Sequence, residues 1–353
     1  MPKIMTQAET GERVVPSLND TAHQMVAAGK GILAADESIA TMSKRLEAAG
    51  VPASAVARRD YRQLLLTTSG LSHWVSGIIL SDETFGQELS DGTPFPRAAA
   101  DAGILPGIKV DTGTTPLAFT DGGLVTQGLD GLRERLAGYR ERGAAFAKWR
   151  AALAPVGLSP RTVRANAHGL ARYAALCQEA GIVPIVEPEV LMDGTHSIEL
   201  CEAATSSVLD AVFGELDAMG VDPAGIVLKP NMVVAGNGAA DQAGPDDVAR
   251  RTLQVLTSHV PATVPGIAFL SGGQSNEAAC ANLAAMNVAA ASDPAAPWRL
   301  TFSFGRALVD DALRTWHGDP DNVDAAQEAL AGNCRRASAA STPGVTDVER
   351  VGV

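Results

Sequence analysis

Eight short apolar runs recur along the chain, each followed by a polar or glycine-rich stretch and then by a helical pattern. They are Gly31 to Ala35, Val75 to Leu80, Leu105 to Val110, Ala144 to Trp149, Ile182 to Val186, Gly225 to Leu228, Gly266 to Leu270 and Leu300 to Phe302. The runs are continuously apolar rather than alternating, which is the habit of parallel strands covered on both faces. Eight alternations of strand and helix favour an α/β fold of the (β/α)8 TIM-barrel type over an open doubly wound sheet. Between the runs the helical spacing is regular: Leu129, Leu132, Leu136 and Tyr139 share one face before Gly143, and Ile198, Cys201, Val208, Leu209, Val212 and Leu216 do so before Gly220.

The strand-to-strand interval stays at roughly 30 to 45 residues, within what one barrel with ordinary loop insertions needs, and no Pro/Ser-rich linker interrupts it. A chain of 353 residues with 46% hydrophobic content has the core for this. The expected organisation is a single barrel domain over residues 1–332, including an N-terminal extension, and a mobile tail over residues 333–353, where apolar periodicity gives way to Ser, Arg and Gly.

A net charge of -12 and a pI near 5.0 argue against nucleic acid or an anionic membrane as partner, because a negative field repels polyanions. Any anionic ligand must then meet a local cluster of Lys and Arg. The first twenty residues lack the apolar core of a signal peptide, and no later run approaches the roughly 20 apolar residues of a membrane span. A cytoplasmic protein is expected, with Cys177, Cys201, Cys280 and Cys334 as reduced packing thiols, since they are far apart and form no CxxC.

In a barrel of this kind the active site lies at the C-terminal ends of the strands, so the residues closing the runs should converge in one mouth. They are Asp36, Lys109, Lys148 with Arg150, Glu187 with Glu189, Lys229, Ser271 with Gly272 and Gly273, and Ser303 with Gly305 and Arg306. Lys229 closes Gly225-Ile226-Val227-Leu228 and precedes Pro230, and burial there disfavours an ammonium and favours a nucleophilic amine. Taken alone, such a lysine more often packs its stem and snorkels.

Glu187 and Glu189, two apart on an extended chain, point the same way and supply carboxylates for proton transfer or for structural ion pairs with the lysines. Ser271-Gly272-Gly273-Gln274-Ser275 and Ser303-Phe304-Gly305-Arg306 follow the seventh and eighth runs, where many barrels hold a phosphate. Ser38, Thr41, Lys44 and Arg45 open a helix after the first run and offer a second anion site, or an ordinary cap with a solvated basic face. Ser81, Asp82 and Glu83, after the second run, show no clear role. Val233 to Asp241 begins like a dinucleotide loop but lacks the third glycine, and the six histidines have no ligand spacing, so neither a nucleotide cofactor nor a metal is expected.

The ordered set Gly31-Ile32-Leu33-Ala34-Ala35-Asp36-Glu37-Ser38, Phe146-Ala147-Lys148-Trp149-Arg150, Ile185-Val186-Glu187-Pro188-Glu189, Leu228-Lys229-Pro230-Asn231-Met232, Phe269-Leu270-Ser271-Gly272-Gly273-Gln274-Ser275 and Thr301-Phe302-Ser303-Phe304-Gly305-Arg306-Ala307 closely resembles class I fructose-1,6-bisphosphate aldolase. The resemblance implies reversible cleavage of fructose 1,6-bisphosphate in glycolysis and gluconeogenesis, without a cofactor. Lys229 would form the Schiff base with the ketose and Asp36 would take the C4 hydroxyl proton. Glu187 would serve imine formation as acid and base, Lys148 would help keep Lys229 deprotonated, and Glu189 would orient the lysines. Ser271, Gly272, Gly305 and Arg306 match the C1-phosphate site, and Ser38, Thr41, Lys44, Arg45, Lys109 and Arg150 match positions on the C6-phosphate side.

Family tails usually end in a tyrosine, whereas this chain ends Arg350-Val351-Gly352-Val353 and its last tyrosine is Tyr173. The expected partner is a phosphorylated sugar, and the expected assembly a homo-oligomer with a tetramer as one form. Two alternatives share parts of this pattern: another Schiff-base aldolase or transaldolase-type barrel, which needs only one phosphate site, and a silent sugar-phosphate-binding scaffold, which needs no imine-forming amine.

Overall fold

Each apolar run overlaps one strand of a closed barrel. In the computed structural model, which describes residues 16–342, the strands are β1 (Gly31–Ala35), β2 (Val75–Leu80), β3 (Leu105–Lys109), β4 (Thr114–Pro116), β5 (Leu124–Thr126), β6 (Phe146–Leu153), β7 (Val183–Val190), β8 (Val227–Leu228), β9 (Gly266–Phe269) and β10 (Arg299–Phe304). Eight of them close in the order β1-β10-β9-β8-β7-β6-β3-β2, all in parallel. The other two, β4 and β5, form an antiparallel hairpin in the connection from β3 to β6. The apolar pattern does not disclose that hairpin, because each of its strands has three residues and β4 is wholly exposed.

Side chains alternate across each strand, and the two faces have different tasks. Ile32, Ala34, Ile79, Phe146, Val183, Ile185, Val227 and Ala268 form an inner core with Ala22, Met25 and Val26. The short helix Leu18–Met25 thus closes the end of the barrel from which the strands start. Leu33, Ile78, Leu80, Trp149, Val186, Leu228 and Phe302 face the surrounding helices in the larger outer core. Phe146 is the one large aromatic of the inner set. It fits because β2 and β3 carry glycines beside it: a Cβ on Gly77 would lie 2.8 Å from its ring, and one on Gly107 would lie 2.1 Å away.

The register carries this alternation upward. Lys109 stands opposite Lys148, Lys148 opposite Ile185 and Arg150 opposite Glu187. Lys148 and Arg150 therefore share the inward face of Phe146, and Glu187 and Glu189 that of Val183 and Ile185. Apolar residues fill the lower barrel and charged ones its C-terminal end.

The helix Val323–Ala340 runs through the boundary expected at Asn333, with Cys334, Ala337 and Ala340 buried. Its packing face is built largely of alanines, which bury well but contribute little apolar periodicity to a sequence reading. The rest of the expected tail, including Arg350 to Val353, lies outside the described residues. All four cysteines are free and buried within helices.

Candidate active site

β8 ends after two residues because Pro230 lacks the N–H a ladder needs, and Lys229 leaves its end with its own N–H donated to the Val186 carbonyl at 2.8 Å. The Lys229 side chain points into the barrel mouth and is 3% exposed. Its Nζ lies 3.1 Å from Glu187 Oε1, while Glu187 Oε2 lies 2.8 Å from Lys148 Nζ. Lys148 Nζ in turn donates to Asp36 Oδ2 at 2.9 Å. Four residues from four strands, Asp36 and Lys229 just past the ends of β1 and β8 and Lys148 and Glu187 within β6 and β7, thus form one buried chain, Asp36, Lys148, Glu187, Lys229, in which carboxylates and lysines alternate.

Electrostatics keep Asp36, Lys148 and Glu187 ionised against burial. Burial pushes the Asp36 carboxyl upward, but Lys148, helped by Lys229 and Lys109, overrides it and holds the group well below the usual carboxylate range. Glu187 is lowered in the same way, burial being outweighed by Lys148, Lys229 and Arg150. For Lys148 burial favours the neutral amine, yet Asp36 and Glu187 hold its pKa well above the ordinary lysine value. Lys148 is thus a fixed cation between two fixed anions.

Two further pairs flank the chain. Arg150 Nε donates to Glu189 Oε2 at 2.5 Å, so Glu189 is tied to a guanidinium, where the resemblance implied that it orients lysines. Lys109 Nζ donates to the Asp111 carboxylate and to its carbonyl oxygen, at 2.5 and 2.8 Å, and the other Asp111 oxygen accepts from the Arg150 N–H at 3.3 Å. Sequence reasoning missed Asp111. It lies two residues beyond Lys109, and only the spacing of like-facing positions pointed to it.

The anion-binding loops are built as their glycines suggest. Gly272 and Gly273 have φ of +60° and +104°, and a Cβ on Gly272 would meet the Met192 sulfur at 3.1 Å. Ser275 then caps the helix Asn276–Ala290 by accepting from the Ala278 N–H. Gly305 precedes the helix Arg306–Trp316, which no side chain caps, so its first-turn N–H groups are available to an anion. The Arg306 guanidinium reaches back toward Gly273, where an added Cβ would lie 3.5 Å from Nη2. Ser303 Oγ is buried with no hydrogen-bond partner among the described residues, and Ser271 is buried just beyond the end of the neighbouring strand β9.

On the β1 side, Ser38 accepts from the Thr41 N–H and donates to the Thr41 hydroxyl, capping the helix Ile39–Ala48. Lys44 is exposed on that helix. Arg45 is held by two carboxylates, Glu37 and Asp310. After β2, Ser81 caps a short helix, Asp82 accepts from the Tyr139 hydroxyl and Glu83 holds Arg58 through two bonds, so these residues fasten helices together. Among the described residues no group of His, Cys, Asp and Glu is arranged to hold a metal ion.

A protein-family model described as fructose-bisphosphate aldolase class-I matches residues 17–349. A probable fructose-bisphosphate aldolase class 1 of Xanthomonas campestris is 50% identical over 308 residues, which cover 86% of this chain and 91% of that protein. The cytosolic fructose-bisphosphate aldolase 6 of Arabidopsis thaliana is 51% identical over 316 residues, 89% of this chain and 87% of the relative. Among solved structures, the fructose-bisphosphate aldolase of Plasmodium falciparum, in complex with TRAP and a small-molecule inhibitor, superposes with a TM-score of 0.88 at 44% identity, covering 92% of this chain and 93% of that one.

Proposed function

The chain belongs to the class I fructose-bisphosphate aldolase family, and from that membership we propose how its site divides the work of cleaving fructose 1,6-bisphosphate into dihydroxyacetone phosphate and glyceraldehyde 3-phosphate. The amine of Lys229 adds to the C2 carbonyl of the ketose. Glu187, a carboxylate in the free site and 3.1 Å away, takes up a proton as the Lys229 nitrogen is freed for attack and returns it to the carbinolamine hydroxyl, which leaves as water to give a protonated imine. Asp36 removes the C4 hydroxyl proton, the C3–C4 bond breaks and the electron pair moves into the iminium to give an enamine. The aldehyde departs, C3 takes a proton, and water returns through Glu187 to release the second product and the free amine.

The observation that carries this reading is the alternating chain. Lys148 touches both Glu187 and Asp36, so one cation aligns the group serving C2 with the group serving C4. A scaffold that only bound sugar phosphates would have no use for such a chain, since burying the charges of Asp36, Lys148 and Glu187 costs several kcal/mol per ion before pairing. Ser271, Gly272, Ser303, Gly305 and Arg306 serve the C1-phosphate. Ser38, Thr41, Lys44, Arg45, Lys109 and Arg150 serve the C6 end.

Borohydride reduction in the presence of dihydroxyacetone phosphate tests the assignment. A stable adduct is expected on the Lys229 peptide and is expected to be lost in Lys229→Met; labelling centred on Lys148 or Lys109 would overturn it. The same proposal includes a cytosolic location, supported by the cytosolic relative, and a homo-oligomer, with a tetramer as one form.

A further inference from the structure

Arg45 is assigned to phosphate, yet without substrate its guanidinium is already engaged on two sides. Nη1 meets Glu37 Oε1, and Nη2 meets Asp310 Oδ1 at 2.6 Å. The two carboxylates are not equivalent. The second oxygen of Glu37 is held at 2.6 Å by Arg62, whose side chain is 2% exposed, so Glu37 is anchored from beneath. Among the described residues Asp310 has no other hydrogen-bond or ion-pair partner, and its side chain is 42% exposed. It also sits four residues, about one helical turn, after Arg306 on the helix Arg306–Trp316.

The helix is held in place independently of this pair. The buried Tyr61 hydroxyl, on the helix Ala55–Leu66, donates to the Val309 carbonyl at 2.8 Å, and the Tyr61 ring stacks on Trp316 with centroids 5.7 Å apart. Arg62, the next residue, holds Glu37. One helix therefore fixes both ends of the Arg45 contact through its buried residues Tyr61 and Arg62, and the Asp310 carboxylate is set against the guanidinium without being needed to hold its own helix.

We propose that Asp310 is a built-in competitor for the Arg45 guanidinium, a specificity-determining residue that a substrate phosphate must displace. A phosphate offers the same geometry as the carboxylate with more charge, so it takes over the Asp310 side of Arg45 while Glu37 stays in place. Asp310 then sets a threshold: doubly phosphorylated ligands bring a phosphate that can displace it, whereas weaker anions such as free carboxylates do not. This inference rests on the aldolase reading of the site and deepens it.

Asp310→Asn removes the competing charge with little change of shape. KM for fructose 1,6-bisphosphate is expected to fall about two- to fivefold, the range of a partly exposed ion pair, with kcat within twofold of the parent. Asp310→Glu should keep the parental KM. Asp311→Asn makes the same change in net charge one residue away, at a carboxylate that pairs with Arg314 and not with Arg45, and is expected to leave KM unchanged. In an Arg45→Met background, Asp310→Asn should have no further effect.

An unchanged or raised KM in both Asp310→Asn and Asp310→Ala, or an equal fall in Asp311→Asn, would overturn the proposal. Should the parent enzyme fail to cleave the bisphosphate, the functional reading falls instead. The same contrast, read calorimetrically as the Kd of hexitol 1,6-bisphosphate, would still decide the role of Asp310.

Discussion

Lys148→Met tests whether the buried charge chain is a single unit. Methionine keeps much of the lysine stem and removes the ammonium that lies 2.9 Å from Asp36 and 2.8 Å from Glu187. At an effective dielectric of about 20, each contact is worth roughly 6 kcal/mol by Coulomb's law. Desolvation of the lysine takes back several of these, so the expected loss of stability at pH 7 is about 3 to 5 kcal/mol, the usual result of removing one partner of a buried pair. The loss should depend on pH with a definite sign. In the parent, Asp36 and Glu187 titrate below their unfolded values, so their contribution is present above about pH 4 and lost as the pH falls through the folded values. Lys148 titrates above its unfolded value, so its share is present below about pH 10 and lost as the pH rises through the folded one. In the variant, burial is left to act on Asp36 with only Lys229 and Lys109 opposing it, so Asp36 should take up a proton more readily. Urea denaturation across pH 4 to 9 should therefore show a deficit that is largest at neutral to alkaline pH and narrows toward pH 4. A deficit under about 1 kcal/mol at pH 7, or one of equal size at pH 4.5 and pH 8, would refute the reasoning.

Arg306→Ala should weaken use of the bisphosphate by one to two orders of magnitude, the loss of a charge-assisted contact of roughly 1.5 to 3 kcal/mol. An unphosphorylated ketose should be almost indifferent, and equal loss on both in steady-state kinetics would give Arg306 a role in the fold instead. Exhaustive chelation should leave cleavage at full rate, because the iminium on Lys229 accepts the electron pair; a loss restored by zinc would mean a different chemistry.

The strands were legible because a parallel barrel buries both faces of each one, and continuous apolar runs follow from that. The site residues were legible as the polar groups at or just past the end of each run: Asp36, Glu187 and Lys229 follow theirs directly, and Lys148 is the next-to-last residue of its own. Who pairs with whom was not legible. Lys148 meets Asp36 across 112 positions of sequence, and only barrel closure and strand stagger bring them together. Asp111 and Asp310 were missed for related reasons. Asp111 directly follows its run but was eclipsed by Lys109, the polar residue already inside it, and Asp310 lies on a helix face among ordinary surface charges. Asn333 looked like the start of a tail because the helix that continues there packs through alanines, which leave a weak pattern.

The notch that Gly77 and Gly107 cut for Phe146 constrains the order in which this barrel can change. An alanine at Gly107 would place a carbon 2.1 Å from the ring, so it is barred while Phe146 stands. A smaller residue at 146 would first open a void at the centre of the barrel, and only then would either glycine be free to grow. The three positions form a ratchet in which two steps are forbidden until a third, itself unfavourable, has been taken. Phe146 lies two residues below Lys148 on the same inward face of β6, so any repacking of that plug shifts the base on which the lysine stands. The residues of the barrel floor should then vary among relatives as a linked set, and grafting one of them alone should disturb catalysis through the height of Lys148.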